Sequence, residues 1–219
     1  MDRDRQRFYF ILRTMVYALI AQITAAMFAL GWIATSIVTA TLLGSMVARA
    51  WRERDLVLAR ILLFGLVVGF GELPADHFGV VVTNTLVYSP GGPQVWVSPL
   101  YMPFGWVVMM VQLGVLAGWL APRWGTARTC VALAVLGGLN IPAHELLAKY
   151  ADLWHYQNTP MILGAVPHYV IVAEAMLGLV IPLLLLRVAV TPWRGVVGLG
   201  ALQALAIYVA GRIAFALVG

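Results

Sequence analysis

The chain has 219 residues, of which 62% are hydrophobic and only 11% are charged, and its mean hydropathy is +0.91. A soluble domain averages about 25% charged residues, so this composition excludes a soluble globular protein and predicts one polytopic membrane domain over residues 1–219. The net charge of +5 does not indicate nucleic-acid binding, because the arginines flank apolar runs. The single cysteine, Cys130, excludes an internal disulfide and a cysteine-based metal cluster.

Seven apolar runs are long enough to cross a bilayer, which takes about 20 residues. The expected spans lie near residues 9–30, 32–50, 56–78, 100–120, 127–148, 166–186 and 194–217. Only Gly31 and Trp32 separate the first two, because the run 14–48 is too long for one ordinary span. The predicted fold class is an all-α membrane protein, a bundle of seven transmembrane helices.

Basic residues collect at one end of this bundle. With a cytoplasmic N-terminus, every Lys and Arg except Lys149 and Arg212 falls on the inner segments 1–13, 49–60, 121–128 and 187–194. The positive-inside rule therefore predicts a multi-pass protein of the cell membrane with its C-terminus outside. The first apolar run follows four arginines and ends without a small-residue cleavage site, so we expect no removable signal peptide.

The outer connections are long and hold most of the chemically reactive side chains. Segment 81–98 has two alternating stretches around Pro90-Gly91-Gly92-Pro93, which predicts a small hairpin or lid. The aromatic-rich segment 149–165 forms the other long connection. Because all four histidines and five acids also fall in the outer half, we expect the active site there.

A weak internal repeat links the two outer connections. Glu72, then Tyr88, then Pro99-Leu100-Tyr101 is similar to Glu145, then Trp154, then Pro167-His168-Tyr169. Each set follows the order of helix, aromatic loop and a helix that starts at proline. The spacing differs between the two sets, so a chance similarity is the alternative.

Glu72 and Asp76 are the leading candidates for a catalytic pair. They are four residues apart and share one helix face. Pro74 between them removes a backbone donor and predicts a kink that turns the side chains inward. Two carboxyl groups in so poorly solvated a place cannot both ionise cheaply, so one is expected to stay protonated beside an ionised partner. Such a pair is a proton donor with its own activator, whereas the structural alternative is an acid pair that solvates a helix end.

Three further acids complete the candidate catalytic set. Glu145 lies near the apolar core and is spaced i, i+4, i+7 with Lys149 and Asp152, so a structural salt-bridged stripe is the alternative. Asp152 directly precedes an aromatic stretch and could reach into a pocket beneath it. Glu174 lies inside an apolar run and must face the bundle interior, as a functional group or as a hydrogen bond to another helix.

Aromatic and histidine side chains of the outer half form the candidate substrate-binding set. They are His77, Tyr88, Trp96, Tyr101, Trp106, His144, Trp154, His155, Tyr156, His168 and Tyr169. Aromatic faces stabilise cations held against them, although aromatic residues also mark ordinary membrane interfaces. The histidine spacings suit no common metal site, so neither a metal nor another cofactor is expected.

A small seven-span protein with a few intramembrane acids and no metal motif resembles the membrane-integral terpene cyclases, which act on meroterpenoids and prenylated indole alkaloids. The resemblance implies that Glu72 protonates an epoxide or a terminal alkene, with Asp152 or Glu174 as the second acid. Glu72 lies in Gly-Glu-Leu-Pro, which departs from the Trp-Glu type helix of that family. A second likeness, to membrane carotenoid hydratases and lycopene cyclases, implies the same carbocation chemistry.

The predicted function is a metal-independent isoprenoid cyclase of the isomerase or lyase type, acting on a lipophilic prenylated small molecule within the lipid membrane. The alternatives are a carotenoid hydratase or cyclase, and a non-enzymatic membrane transporter or complex subunit. A transporter is disfavoured because seven spans give no even inverted pair and the polar residues stop halfway across.

Overall fold

The protein is a multi-pass membrane protein whose computed structural model describes residues 3–219. Seven helices in this range are long and apolar enough to cross a membrane, which confirms the predicted seven-span bundle. The helices are α1 (Arg3–Phe28), α2 (Gly31–Arg52), α3 (Leu56–Gly71), α4 (Leu73–His77), a π-helix (Phe78–Val82), α5 (Tyr101–Trp124), α6 (Thr126–Tyr150), α7 (His168–Val188) and α8 (Trp193–Val218).

The first two spans separate where the sequence placed the break. Ala29 and Leu30 alone connect α1 to α2, and both Ala29 (φ 48°) and Gly31 (φ 64°) adopt left-handed backbone conformations that reverse the chain. Helix α1 begins six residues before the predicted span, at Arg3 instead of residue 9. Hydropathy detects only the apolar part of a helix, so the arginine-rich first turns were missed.

The third span, Leu56–Val82, is interrupted near its outer end. Helix α3 ends at Gly71, α4 begins at Leu73, and the π-helix follows directly. Pro74 lacks a backbone N–H, and the Ala75 N–H donates to the Glu72 carbonyl at 2.6 Å in a tightened turn. The interruption predicted from Pro74 therefore exists, and it falls at Glu72, the first acid of the candidate pair.

Helices α3, α5, α7 and α8 form the centre of the bundle, and α1 and α2 lie at its edge with broad exposed apolar faces. Small residues let the central helices approach closely: a Cβ at Gly69 would overlap the Pro103 carbonyl, and one at Gly178 would overlap the backbone of Ala134. Such contacts suit a membrane bundle, where packing replaces the hydrophobic driving force between helices.

Residues 83–100 and 151–167, the two long connections, join in what we call the outer cap, after the side of the membrane on which it is predicted to lie. Its strands are β1 (Leu86–Tyr88), β2 (Gln94–Val95), β3 (Ser98–Pro99), β4 (Trp154–Tyr156), β5 (Met161–Ile162) and β6 (Val166–Pro167). All pairs are antiparallel: β1 with β4, β2 with β3 and β5 with β6. The position predicted for the hairpin was wrong, because its turn is Trp96–Val97 and not Pro90–Pro93. Strand β1 instead pairs with the second connection.

The β1–β4 pairing reveals an internal repeat with a spacing of 68 residues. Tyr88 lies opposite Trp154 and Leu86 opposite Tyr156, so a local two-fold relation exchanges Tyr88 with Tyr156. The flanking bonds obey the same relation, since the Ser89 N–H donates to Leu153 and the Gln157 N–H to Thr85, each at 2.9 Å. Each strand is followed by a short hairpin that ends in proline and by a long helix, α5 or α7. The repeated unit is thus helix, strand, hairpin and helix.

An ion pair joins α1 to the start of α3 at the opposite end of the bundle. Arg7 donates from Nε to Asp55 Oδ2 at 2.7 Å and from a terminal nitrogen to Oδ1 at 2.9 Å. Asp55 also caps α3 by accepting from the Leu58 N–H at 3.0 Å. Burial acts to raise the pKa of Asp55, but the bonds from Arg7 and the backbone outweigh it and lower the pKa below its ordinary value.

Substitution Arg7→Met should destabilise the protein by about 2 kcal/mol, because it leaves a buried carboxylate without its charged donor. A lowered folded-state pKa stabilises the fold above the unfolded-state pKa, and the stabilisation is lost as pH falls through the folded value. The stability gap between the wild type and Arg7→Met should therefore narrow in acid. Unfolding of detergent-solubilised protein at several pH values measures both effects, with exposed Arg52→Met as the control. Equal stability of Arg7→Met and wild type would contradict the interpretation.

The predicted orientation is tested by labelling cysteines placed at opposite ends. A cysteine at exposed Gln94 should react with an impermeant maleimide in intact cells, and one at exposed Arg52 only after permeabilisation. The native Cys130 is buried and provides a low background. The reverse labelling pattern would place the outer cap in the cytoplasm.

Candidate functional site

The first acid cluster is a carboxyl pair held between the third span and the outer cap. Glu72 is 1% exposed and Asp76 is also buried. Asp76 Oδ2 accepts hydrogen bonds from the Tyr88 hydroxyl and the Ser98 hydroxyl, both at 2.6 Å. The Glu72 carboxyl lies within hydrogen-bonding reach of Asp76. Strand β1 and the β2–β3 hairpin thus supply the donors, and the broken helix supplies the acids.

A hydrogen bond between two carboxyl groups requires a proton, so this arrangement suits a pair that shares one. Both hydroxyls converge on Asp76, and such donors favour the ionised form of the carboxyl group that accepts them. Burial and the neighbouring Asp76 raise the pKa of Tyr88 well above its ordinary value, so its hydroxyl remains a donor. Glu72 Oε1 has no hydrogen-bond partner. Its free oxygen makes Glu72 the member able to meet another molecule.

The second acid cluster lies where α6 meets strand β4. Glu145 is 5% exposed, and its Oε2 accepts from Trp154 Nε1 at 2.6 Å. The Tyr156 hydroxyl faces the same carboxyl, and Glu174 on α7 interacts with it electrostatically. Glu174 itself remains partly exposed. The structure therefore brings Glu145 and Glu174 near each other from adjacent helices.

The two clusters are related by the internal repeat, which pairs Asp76–Tyr88 (the first dyad) with Glu145–Tyr156 (the second dyad). The tyrosines are 68 residues apart but the acids are 69 apart. The acids are therefore one position out of step within the repeat, since Pro74 and Pro142 are also 68 residues apart. A π-helix follows Asp76 in the first copy. Helix α6 continues without a π-helix up to the second connection.

Aromatic side chains lie against the two clusters. The Tyr169 hydroxyl shares a hydrogen bond with Thr85 at 3.0 Å, and its ring is 6.5 Å from that of Tyr156. His144 packs on Trp154 with ring centroids 5.7 Å apart, and its Nδ1 is 3.1 Å from Nε2 of Gln22 on α1. Tyr101, buried at the start of α5, interacts electrostatically with Asp76, as does Tyr169.

Other predicted site residues lie outside these clusters. Asp152 is exposed and accepts from the Ser89 hydroxyl at 2.8 Å, so it does not reach the pocket that was expected under an aromatic lid. Lys149 donates to the Gly164 carbonyl at 2.7 Å, and the stripe expected with Glu145 and Asp152 does not form. His155 is exposed because alternate residues of a strand point to opposite faces, and its neighbours Trp154 and Tyr156 face inward.

The remaining predicted binding residues lie towards the outer surface. His77 stacks on Trp96 with ring centroids 4.6 Å apart, and Trp96 is 58% exposed. Trp106 and His168 are partly buried near the starts of α5 and α7. Within residues 3–219, no three His, Cys, Asp or Glu side chains are grouped to hold a metal ion.

The predicted catalytic acids do not line either of two cavities that lie beside α1. One, of about 80 Å³, lies between α1 and α5 and is lined by Phe8, Ile11, Leu12, Met15 and Leu116. The other, of about 240 Å³, lies between α1 and α2 at the arginine-rich end. The outer cap covers the acid clusters, since its strands supply the side chains that bond to Asp76 and Glu145.

The profile of one protein family, described as a domain of unknown function (DUF6989), matches residues 73–218. The chain belongs to this family. The matched part of the DUF6989 chain contains both dyads, Ser98, Trp154 and Glu174, and begins directly after Glu72. No curated protein and no solved structure matches the chain.

Sequence reasoning missed Ser98 and Thr85, two hydroxyl donors of the cap. Single serines and threonines in a loop have no signature of their own. The repeat did have one: Leu73-Pro74-Ala75 and Ile141-Pro142-Ala143 lie 68 residues apart, the spacing of β1 and β4. Applying that spacing would have paired Tyr88 with Tyr156, where the weak repeat above paired it with Trp154.

The β1–β4 pairing can be tested by a disulfide between Val87 and His155, which lie directly opposite each other on the outward face. The double variant Val87→Cys/His155→Cys should cross-link under mild oxidation, because directly opposed strand residues bring their Cβ atoms close to disulfide range. Mass spectrometry of the joined peptides detects the bond. The pair Val87→Cys/Asn158→Cys, three residues out of register, is the control. Equal cross-linking of both pairs would contradict the register.

Proposed function

We propose that this protein is a membrane-embedded isoprenoid cyclase that protonates an alkene or epoxide of a prenyl chain and guides the cyclisation of the resulting carbocation. The observation that supports it most is the buried Glu72–Asp76 pair, in which Asp76 takes two hydroxyl donors and Glu72 keeps one oxygen free. A carboxylic acid in this setting is a Brønsted acid placed in an apolar surrounding.

Glu72 is the proton donor in this proposal. With an alkene, the Glu72 O–H bond breaks as a new C–H bond forms, and the chain becomes a tertiary cation. With an epoxide, the proton moves to the epoxide oxygen as one C–O bond breaks, which leaves a hydroxyl group and a tertiary cation. A second alkene of the same chain then attacks the cation and forms the ring carbon–carbon bond. Tyr88 and Ser98 stabilise the negative charge left on the acid pair, because both already donate to it.

Water must be kept from a carbocation, and the outer cap provides that exclusion. Strand β1, strand β4 and the two hairpins cover the acids, and the rings of Tyr88, Trp154, Tyr156 and Tyr169 offer faces that stabilise positive charge. The prenylated substrate is apolar and enters from the lipid, so the cap or a helix seam opens to admit it. No added cofactor is invoked for the proton transfer.

A second candidate is a proton-coupled carrier. The observation that favours it is the repeat itself, because copies that run in the same direction across the membrane also occur in carriers. The acids lie at one end of the bundle, however, and carriers place their coupling site near the middle of the membrane. If the protein is a carrier, adding its substrate to liposomes that contain it would change the pH inside them. The substrate itself would remain chemically unchanged.

Substitution Glu72→Gln should abolish cyclisation, by about 10²–10⁴-fold, because the amide keeps the shape of the side chain but has no acidic proton. The test uses the purified full-length chain in detergent with acyclic farnesylated phenols and indoles and their terminal epoxides. Loss of substrate and appearance of cyclic isomers are followed by mass spectrometry and NMR.

The matched control is Asp152→Asn, which removes a carboxyl group that is exposed on the outer cap. It should keep activity within about threefold of wild type, as expected of a surface substitution. Full activity of Glu72→Gln would show that Glu72 is not the donor. Failure of the wild type to cyclise any compound of the panel would refute the cyclase proposal.

A further inference from the structure

A cyclisation that begins with a proton must end by releasing one, and the second dyad has the features of the group that takes it. We propose that Glu145 is the terminating base and that Trp154 and Tyr156 position its carboxylate; this inference rests on the proposed cyclase function. Glu145 Oε2 accepts from Trp154 Nε1 at 2.6 Å, and the Tyr156 hydroxyl faces the same group. Indole and phenol donors favour the ionised form of a carboxyl group.

The two dyads differ in the residue one turn earlier on the helix. The first dyad has Glu72 four residues before Asp76, so that a second carboxyl group shares its proton. The residue four positions before Glu145 is Ile141, which is apolar. The residue that the 68-residue repeat pairs with Glu72 is Asn140, which is uncharged. The second dyad therefore has neutral donors and no carboxylic acid bonded to it. One copy of the repeat is built to hold a proton and the other to accept one.

The position of the second dyad suits this role. Glu145 interacts electrostatically with both Asp76 and Glu174, so the two dyads lie in the same region of the bundle. Strands β1 and β4 join their tyrosines in one two-stranded sheet. A folded prenyl chain between them would meet the donor on one side and the base on the other.

The final step balances as a deprotonation. A C–H bond next to the last cation breaks, its proton moves to a Glu145 oxygen, and its electron pair forms the new alkene. The overall reaction is an isomerisation. Hydrogen-bonded hydroxyls connect this region to the outer side, from Tyr169 to Thr85 at 3.0 Å and on to Thr83 at 2.8 Å. They give the released proton a path to solvent. The Glu72–Asp76 pair then takes a new proton from the solvent for the next cycle.

The test compares products as well as rates in Glu145→Gln, because a base that acts last controls the product more than the first protonation. Substrate consumption should stay within about tenfold of wild type, while formation of the wild-type alkene falls by about 100-fold. The missing alkene should be replaced by other double-bond isomers and by alcohols from capture of water. In D₂O, each cyclic product of an alkene substrate should carry one non-exchangeable deuterium from the donor side, whereas an epoxide substrate places it on an exchangeable hydroxyl group.

Tyr156→Phe serves as the second variant, since it leaves Glu145 in place and removes only the hydroxyl that positions it. It should shift the products in the same direction but less, and Glu145→Asp should restore part of the wild-type alkene. The Val87→Cys/His155→Cys cross-link, introduced into each variant, reports whether its cap is folded.

The outcomes separate the two proposals. If the wild type yields no cyclic product, the cyclase proposal and this inference both fail. If the wild type cyclises and folded Glu145→Gln makes the same product at the same rate, only the assignment of Glu145 fails. Complete loss of consumption in folded Glu145→Gln, equal to that in Glu72→Gln, would also overturn it, because Glu145 would then act in the first step.

Discussion

A carboxyl group inside the apolar layer of a membrane must be given hydrogen-bond donors, and much of the outer half of this protein meets that requirement. Asp76 accepts hydrogen bonds from Tyr88 and Ser98, and Glu145 accepts hydrogen bonds from Trp154 and Tyr156. These donors are side chains of the cap strands and not of the helices. The outer connections therefore fold inward as short strands, and the β1–β4 pairing fixes the height at which each tyrosine meets its acid. The bundle and the cap are thus mutually dependent.

Local features of the sequence predict the bundle well. Seven runs of the right length predicted the seven spans, and Pro74 located the interruption at Glu72, between α3 and α4. The partners of the acids were not predictable in the same way, since strands β1 and β4 are 68 residues apart and only their register decides which side chains turn inward. Because the register could not be predicted, His155 was wrongly included in the candidate site, although its position in the strand turns it outward. Asp152 likewise bonds to Ser89 on the surface, a contact between two loops that no local pattern encodes.

The two copies of the internal repeat share one arrangement of helix, strand and hairpin, but they differ in the polar residues around their acids. Both copies place a tyrosine from a cap strand against an acid of the preceding helix. Ser98 in the first copy corresponds to Val166 in the second, so only Asp76 gains a hydroxyl from the hairpin. Trp154 corresponds to Leu86, so only Glu145 gains an indole N–H. The polar differences between the copies thus include the donors around each acid and also Glu72, whose counterpart is Asn140.

The π-helix at Phe78–Val82 has a consequence for the phase of the third span. A π turn takes five residues where an α turn takes four, so the five residues of this segment turn the chain about as far as four α-helical residues would. If all five were wound as a regular α-helix, everything before the segment would rotate by about 100° relative to β1. Asp76 would then swing away from Tyr88 and Ser98, although no residue that touches it had changed. The winding of this segment is as much a part of the acid pair as the carboxyl groups themselves.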